Sequence, residues 1–88
     1  IDINENDNVA TLLYHKKNGD IVILHGAKNG ELKALDDIPK GHKIAIFDIP
    51  KGGNVIKYGE IIGIATTQIK KGQHVHVHNL DSLRGKVL

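Results

Sequence analysis

The segment His74-Val75-His76-Val77-His78-Asn79 gathers the groups in this sequence best suited to chemistry. On a strand, residues two apart share a face, so His74, His76 and His78 are expected to project one way and Val75 and Val77 the other. Such neighbours lie about 6–7 Å apart at Cα, which lets two imidazoles converge on one ion. Imidazole suits Zn, Fe, Ni or Cu, so spacing alone names no metal. A complete site needs a third ligand or an open position, supplied by His42, a carboxylate, water or another chain. The plainer alternative is a half-buried strand with a polar outer face, its valines anchored in the core. Those interleaved valines also separate it from a purification tag.

His42 follows Gly41 and precedes Lys43, a cation that would favour the neutral imidazole, able to bind metal or accept a proton. An exposed loop histidine is the alternative. His15 and His25 stand in turn-like surroundings near lysines and receive no role. Lys57-Tyr58-Gly59-Glu60 offers an ammonium and a phenol beside a glycine, a set able to meet an anionic, hydroxyl-bearing ligand. The plainer reading, and the preferred one on these residues alone, is a hairpin turn carrying one amphipathic Tyr. Arg84, before Gly85, can pair with a carboxylate in bidentate fashion or belong to a linker. No Ser/His/Asp ordering, phosphate loop or dinucleotide fingerprint is present. Gly59-Glu60-Ile61-Ile62-Gly63 lacks the helix such a fingerprint requires.

The elements that must position these groups are short. The chain has 88 residues, 40% of them hydrophobic, which suits a single domain over residues 1–88. Its apolar stock is 13 Ile, 8 Leu and 6 Val against one Phe and two Tyr, a balance that favours strands. Absence of cysteine removes disulfides and thiolate chemistry and fits a reducing compartment. Twelve basic and ten acidic residues give +2, too little and too scattered to imply nucleic acid. Three aromatics make no base-stacking platform. No wholly apolar run exceeds four residues, as at Ile21 to Leu24, so no membrane span is expected. Without a start Met, the chain reads as a trimmed product or fragment, and a removed leader stays open.

Glycine turns feed strands at Ile21–Leu24, Lys43–Phe47, Asn54–Ile56, Ile61–Ala65 and His74–His78. The stretch Asn8 to Lys16 reads as a helix through Val9, Leu12 and Leu13, or as a strand facing Val9, Thr11 and Leu13 one way. The strand is preferred, because Gly19 ends the segment after two helical turns at most. The fold class is therefore mainly β. A degenerate repeat organises it: Asp37-Ile38-Pro39-Lys40-Gly41-His42-Lys43-Ile44, Asp48-Ile49-Pro50-Lys51-Gly52-Gly53-Asn54-Val55, and Gln68-Ile69-Lys70-Lys71-Gly72-Gln73-His74-Val75. Lys17-Asn18-Gly19-Asp20-Ile21-Val22 keeps the second half. Each unit predicts a buried Ile, a tight turn needing Gly's freedom in φ, and a strand whose first inward residue lies three beyond the turn. The turns are spaced by 11 and then 20 residues, too irregular and short for a solenoid.

Ile38-Pro39-Lys40-Gly41-His42-Lys43-Ile44-Ala45, Val55-Ile56-Lys57-Tyr58-Gly59-Glu60-Ile61-Ile62-Gly63-Ile64-Ala65-Thr66 and Val75-His76-Val77-His78-Asn79 resemble, in order, the N-terminal SAF domain of altronate and galactarate dehydratases. The opening Asn4-Glu5-Asn6-Asp7-Asn8-Val9-Ala10 is similar too. The resemblance implies a small β-clip fold within a metal-dependent sugar-acid hydro-lyase, using iron or manganese and yielding a 2-keto-3-deoxy acid. It implies a large catalytic partner, either fused to this domain or separate as in the sulfolactate sulfo-lyases, whose small subunit is an alternative identity. A cytoplasmic location follows, and homo-oligomer formation stays open. Of the matching residues, His42 and His76 are candidates for acid–base work and His76 and His78 for the metal. Lys43, Lys57, Tyr58, Asn79 and Arg84 are candidates for holding carboxylate and hydroxyl groups. His74 carries over least well. Two other readings remain: a non-catalytic module binding carbohydrate or protein, as in antifreeze-like proteins and flagellar or pilus chaperones, and a structural metal module stabilised by its ion.

Overall fold

The computed structural model describes residues 1–82. Nine short strands run in order: β1 (Asp2–Ile3), β2 (Val9–Thr11), β3 (Ile21–Gly26), β4 (Gly30–Lys33), β5 (Lys43–Ala45), β6 (Asn54–Lys57), β7 (Glu60–Ala65), β8 (His74–Val75) and β9 (Leu80–Ser82). They form three three-stranded sheets, β1-β3-β4, β2-β5-β8 and β6-β7-β9. All pairings are antiparallel except the parallel β1–β3 pair. Among the described residues there is no helix, as the β-branched composition predicts.

The repeat is the framework. The i→i+3 turn bond recurs four times, the residue after Gly19, Gly41, Gly52 or Gly72 donating its N–H to Lys17, Pro39, Pro50 or Lys70. Each glycine has φ between 83° and 97°, the conformation of the third position of a type II turn. The same glycines donate to a buried partner, Ala34, Leu12, Ala65 and Ala45 respectively. That partner's own N–H returns a bond to the residue after the glycine. Turns are joined two by two. Lys16 bridges Ile38, and Ile49 bridges Ile69. In each pair the Asp before Ile-Pro caps the other turn: Asp37 Oδ1 accepts from Asn18 N–H, and Asp48 Oδ1 from Lys71 N–H, both at 2.8 Å. Ile38, Ile49 and Ile69 are buried, as are Ile44, Val55 and Val75 three residues beyond their glycines.

Two hydrophobic clusters flank the middle sheet. Ala10 of β2 and Ile44 of β5 join Ile3, Leu12, Val22, Leu24, Leu32, Ile38 and Ile46. Val9 and Ala45 join Ile49, Val55, Ala65, Ile69 and Val75. Burial on both faces corrects the expected orientation of the first strand segment. Leu12 packs in the core while Leu13 is 65% exposed, so Val9, Thr11 and Leu13 do not share an inward face. Two other expected strands are shorter than the alternation suggests: Lys43–Phe47 ends at Ala45, and His74–His78 ends at Val75. Val77, expected in the core, is 82% exposed.

Candidate metal centre

The histidines meet at the end of the middle sheet. β5 and β8 pair Ile44 with His74 and Lys43 with Val75. One further step in that antiparallel register sets His42 opposite His76, and their rings stack with centroids 4.1 Å apart. His42 Nδ1 lies 2.9 Å from His74 Nε2. Only one proton fits between those two nitrogens, so at least one of the rings is neutral. One ring nitrogen from each of His42, His74 and His76 falls within 4.8 Å of the others, a spacing at which three imidazoles can hold a metal ion. His78 tilts toward His74 at a centroid distance of 5.1 Å.

Backbone bonds hold these rings in place. The His42 N–H donates to Pro39 O, and its carbonyl accepts from Leu12. The His74 N–H donates to Asp36 Oδ2 at 2.9 Å. Asn79 then ends the strand: its Nδ2 donates to His74 O at 2.8 Å, and its Oδ1 accepts from His76 N–H at 3.0 Å. The His76 carbonyl turns inward to accept from Asn79 and Leu80. The side chain of Asn79 thus takes backbone groups that a continuing ladder would use. This is why the His-Val alternation does not persist as a strand.

Electrostatics favour lone pairs over protons. Burial lowers the His74 pKa, and His78, His42 and His76 add to the effect, with the Asp36 carboxylate opposing. Burial also lowers that of His76, followed by His42, His78 and Lys43. The Lys43 ammonium, expected from sequence to act on its neighbour His42, bears on His76 across the strands.

The remaining candidates divide. Lys43 and Tyr58 line a groove of about 310 Å³ with Ile62, Leu80 and Ser82. Tyr58 and Gly59 form the two-residue loop between β6 and β7, with φ of 54° and 74°, a type I′ hairpin. Lys57 is buried, its Nζ 4.0 Å from Asp7 Oδ2 and 3.5 Å above the Tyr58 ring. Asp7 also accepts from Gly59 N–H at 2.8 Å. Lys57 therefore braces the hairpin from within, outside the lining of that groove, and with Tyr58, Ile1, Thr11 and Leu13 it lines a neighbouring one of about 270 Å³. Asn79 is buried and committed to the histidine turn. Arg84 lies outside the described residues. Asp36 was not singled out from sequence, and nothing local marks it, because its contact with His74 spans 38 residues.

Paired glycine turns, no helix among the described residues and imidazoles gathered at one sheet end define a small β-domain with a histidine-rich edge. The chain belongs to the altronate/galactarate dehydratase SAF domain family, whose model matches residues 1–83. No curated protein matches it. Among the described residues no helix is long and apolar enough to cross a membrane.

Proposed function

We propose that this domain forms one wall of the active site of a metal-dependent hydro-lyase that acts on altronate, galactarate or a related sugar acid, together with a larger catalytic domain or subunit. The observation that carries this reading is the convergence of His42, His74 and His76 at a surface edge. A cluster so open needs a second surface to enclose a polyol and exclude water. The resemblance implies iron or manganese. The donor chemistry fits a divalent ion, since His42, His74 and His76 offer three nitrogen ligands and leave positions free for substrate. When bound, such an ion supplies Lewis acidity toward the developing charge and the departing hydroxyl.

The chain's own residues contribute metal ligation and orientation. The reaction removes the proton α to the carboxylate and the hydroxyl on the adjacent carbon as one water, and the resulting enol tautomerises to the 2-keto-3-deoxy acid. With His42, His74 and His76 given to the ion, their imidazoles have no lone pair left for the α-proton, so the base belongs to the larger partner. The Lys43 ammonium and the Tyr58 hydroxyl, which line one groove, are suited to receive carboxylate and hydroxyl oxygens.

The test is reconstitution with a large dehydratase domain of the same family. Dehydration of altronate or galactarate is expected only when both parts and iron or manganese are present, with His76→Ala in the complex lowering kcat. Dehydration by the 88-residue chain alone, or by the large domain at an undiminished rate without it, would overturn the reading.

A further inference from the structure

The geometry points to a metal site complete within this chain: His42, His74 and His76 bind one divalent ion before any partner docks, and the site selects borderline transition metals over manganese and magnesium. This deepens the proposed function and rests on its reading of the histidine edge. Two ligands of one ion, each about 2.1 Å from it, stand about 3.0–3.4 Å apart. The His42 Nδ1 to His74 Nε2 separation of 2.9 Å is close to that already. His76, exposed and stacked on His42, brings the third nitrogen within 4.8 Å. A modest ring rotation at the surface completes the set.

Preorganisation distinguishes this cluster from a chance group of surface histidines. All three residues have their backbones tied by hydrogen bonds, to Pro39 and Leu12 for His42, to Asp36 and Asn79 for His74, and to Asn79 and Leu80 for His76. Little ordering is left to oppose binding. The rings make no hydrogen bond to a carboxylate or carbonyl of the core among the contacts of the described residues. His42 precedes β5 while His74 and His76 lie in and just after β8, so pairing of these two strands builds the site without a second chain.

Ligand type sets the selectivity. Three neutral nitrogens, with no thiolate or carboxylate among them, suit zinc, cobalt, nickel and iron, whereas manganese and magnesium prefer oxygen. His78, beside His74 on the exposed turn, lies outside the set of three. Asn79 is a positioning residue, because it fixes the backbone of both His74 and His76 without offering a ligand.

Calorimetric titration of the full chain with Zn²⁺, Co²⁺, Mn²⁺ and Mg²⁺, without substrate or partner, tests the inference. One Zn²⁺ or Co²⁺ per chain is expected, with visible Co²⁺ absorption bands that report nitrogen ligation, and weaker Mn²⁺ and Mg²⁺. His42→Ala, His74→Ala and His76→Ala should each lower affinity more than about 100-fold, and Asn79→Ala about 10–100-fold. His78→Ala and His15→Ala should bind as the parent does. Circular dichroism of each variant, with His42→Gln as a gentler replacement, separates lost ligation from lost fold. Stoichiometry of one ion per two chains, equal binding of Mg²⁺ and Zn²⁺, or an equal loss on His78→Ala would overturn the site. A chain that binds the ion while its complex dehydrates no sugar acid leaves this site standing and removes the proposed reaction. An active complex built from a chain that binds no ion does the reverse.

Discussion

His74 combines two demands on one side chain. Its ring faces other imidazoles, while its backbone N–H and C=O are spent on Asp36 and Asn79. Burial and the neighbouring histidines hold its pKa below 6.5, and burial does the same for His76. The sign of the pH dependence follows. As pH falls below 6.5 the unfolded chain takes up protons before the folded one, so stability is complete above that value. It is lost as pH drops through the window between 6.5 and the lower folded pKa values, and is flat below both. In the metal-free chain, the urea midpoint should therefore decline from pH 7 toward pH 5. His74→Gln should flatten the decline, with His76→Gln doing less, because its ring is more exposed and better screened. A parent and a His74→Gln variant with parallel pH profiles would refute the assignment.

Among the elements, the glycine turn is the recurring unit, and its copies differ in how much room they have. Gly41 has φ of 83° and open space where a Cβ would sit. Gly72 has φ of 96°, and a Cβ there would collide with Lys33 O and stand 3.0 Å from Leu35 Cγ. Gly41→Ala should cost about 1–2 kcal/mol, the ordinary penalty for a left-handed residue. Gly72→Ala should cost clearly more, since backbone must also move; equal denaturation midpoints for the two variants would contradict this. These turns were legible in the sequence because their chemistry is local. Positive φ, a preceding Ile and a branched residue three beyond all lie within seven positions. The end of β8 was not read correctly, although a local signal existed. Asn79 can bond backbone groups at His74 and His76, and that competition outweighs the period-2 pattern of histidine and valine.

At the scale of the whole molecule, two small clusters share one sheet, and long-range polar contacts tie the outer segments to it. Asp7, near the N-terminus, accepts from Gly59 N–H 52 residues away and sits beside the buried Lys57. The pair secures a hairpin whose Tyr58 adopts a φ of 54°, which is unfavourable for a residue with a Cβ. Asp7→Ala should destabilise by about 3–5 kcal/mol, because it leaves a buried ammonium unpaired. Asp7→Ala combined with Lys57→Met should cost less than the two single changes summed. Additive losses in a double-mutant cycle would show that the two groups act independently.

The sequence by itself determined the mainly β class, the four turns, the aliphatic residues that fill the core and the family to which the chain belongs. Each of these depends on residues close together or on an ordered set of motifs. Tertiary structure decided which turns pair and, separately, that β5 pairs with β8, which sets the composition of the histidine edge. His42 and His76 are 34 positions apart, and nothing local specifies that β5 and β8 are antiparallel neighbours in the register that sets them face to face. It also decided that Lys57 pairs with Asp7 and that Tyr58 stands between two grooves, one shared with Lys43 and the other with Lys57. Strand partnership is settled by the joint burial of Val9, Ala10, Ile44, Ala45 and Val75 on the two faces of one sheet, a condition that only the folded chain satisfies.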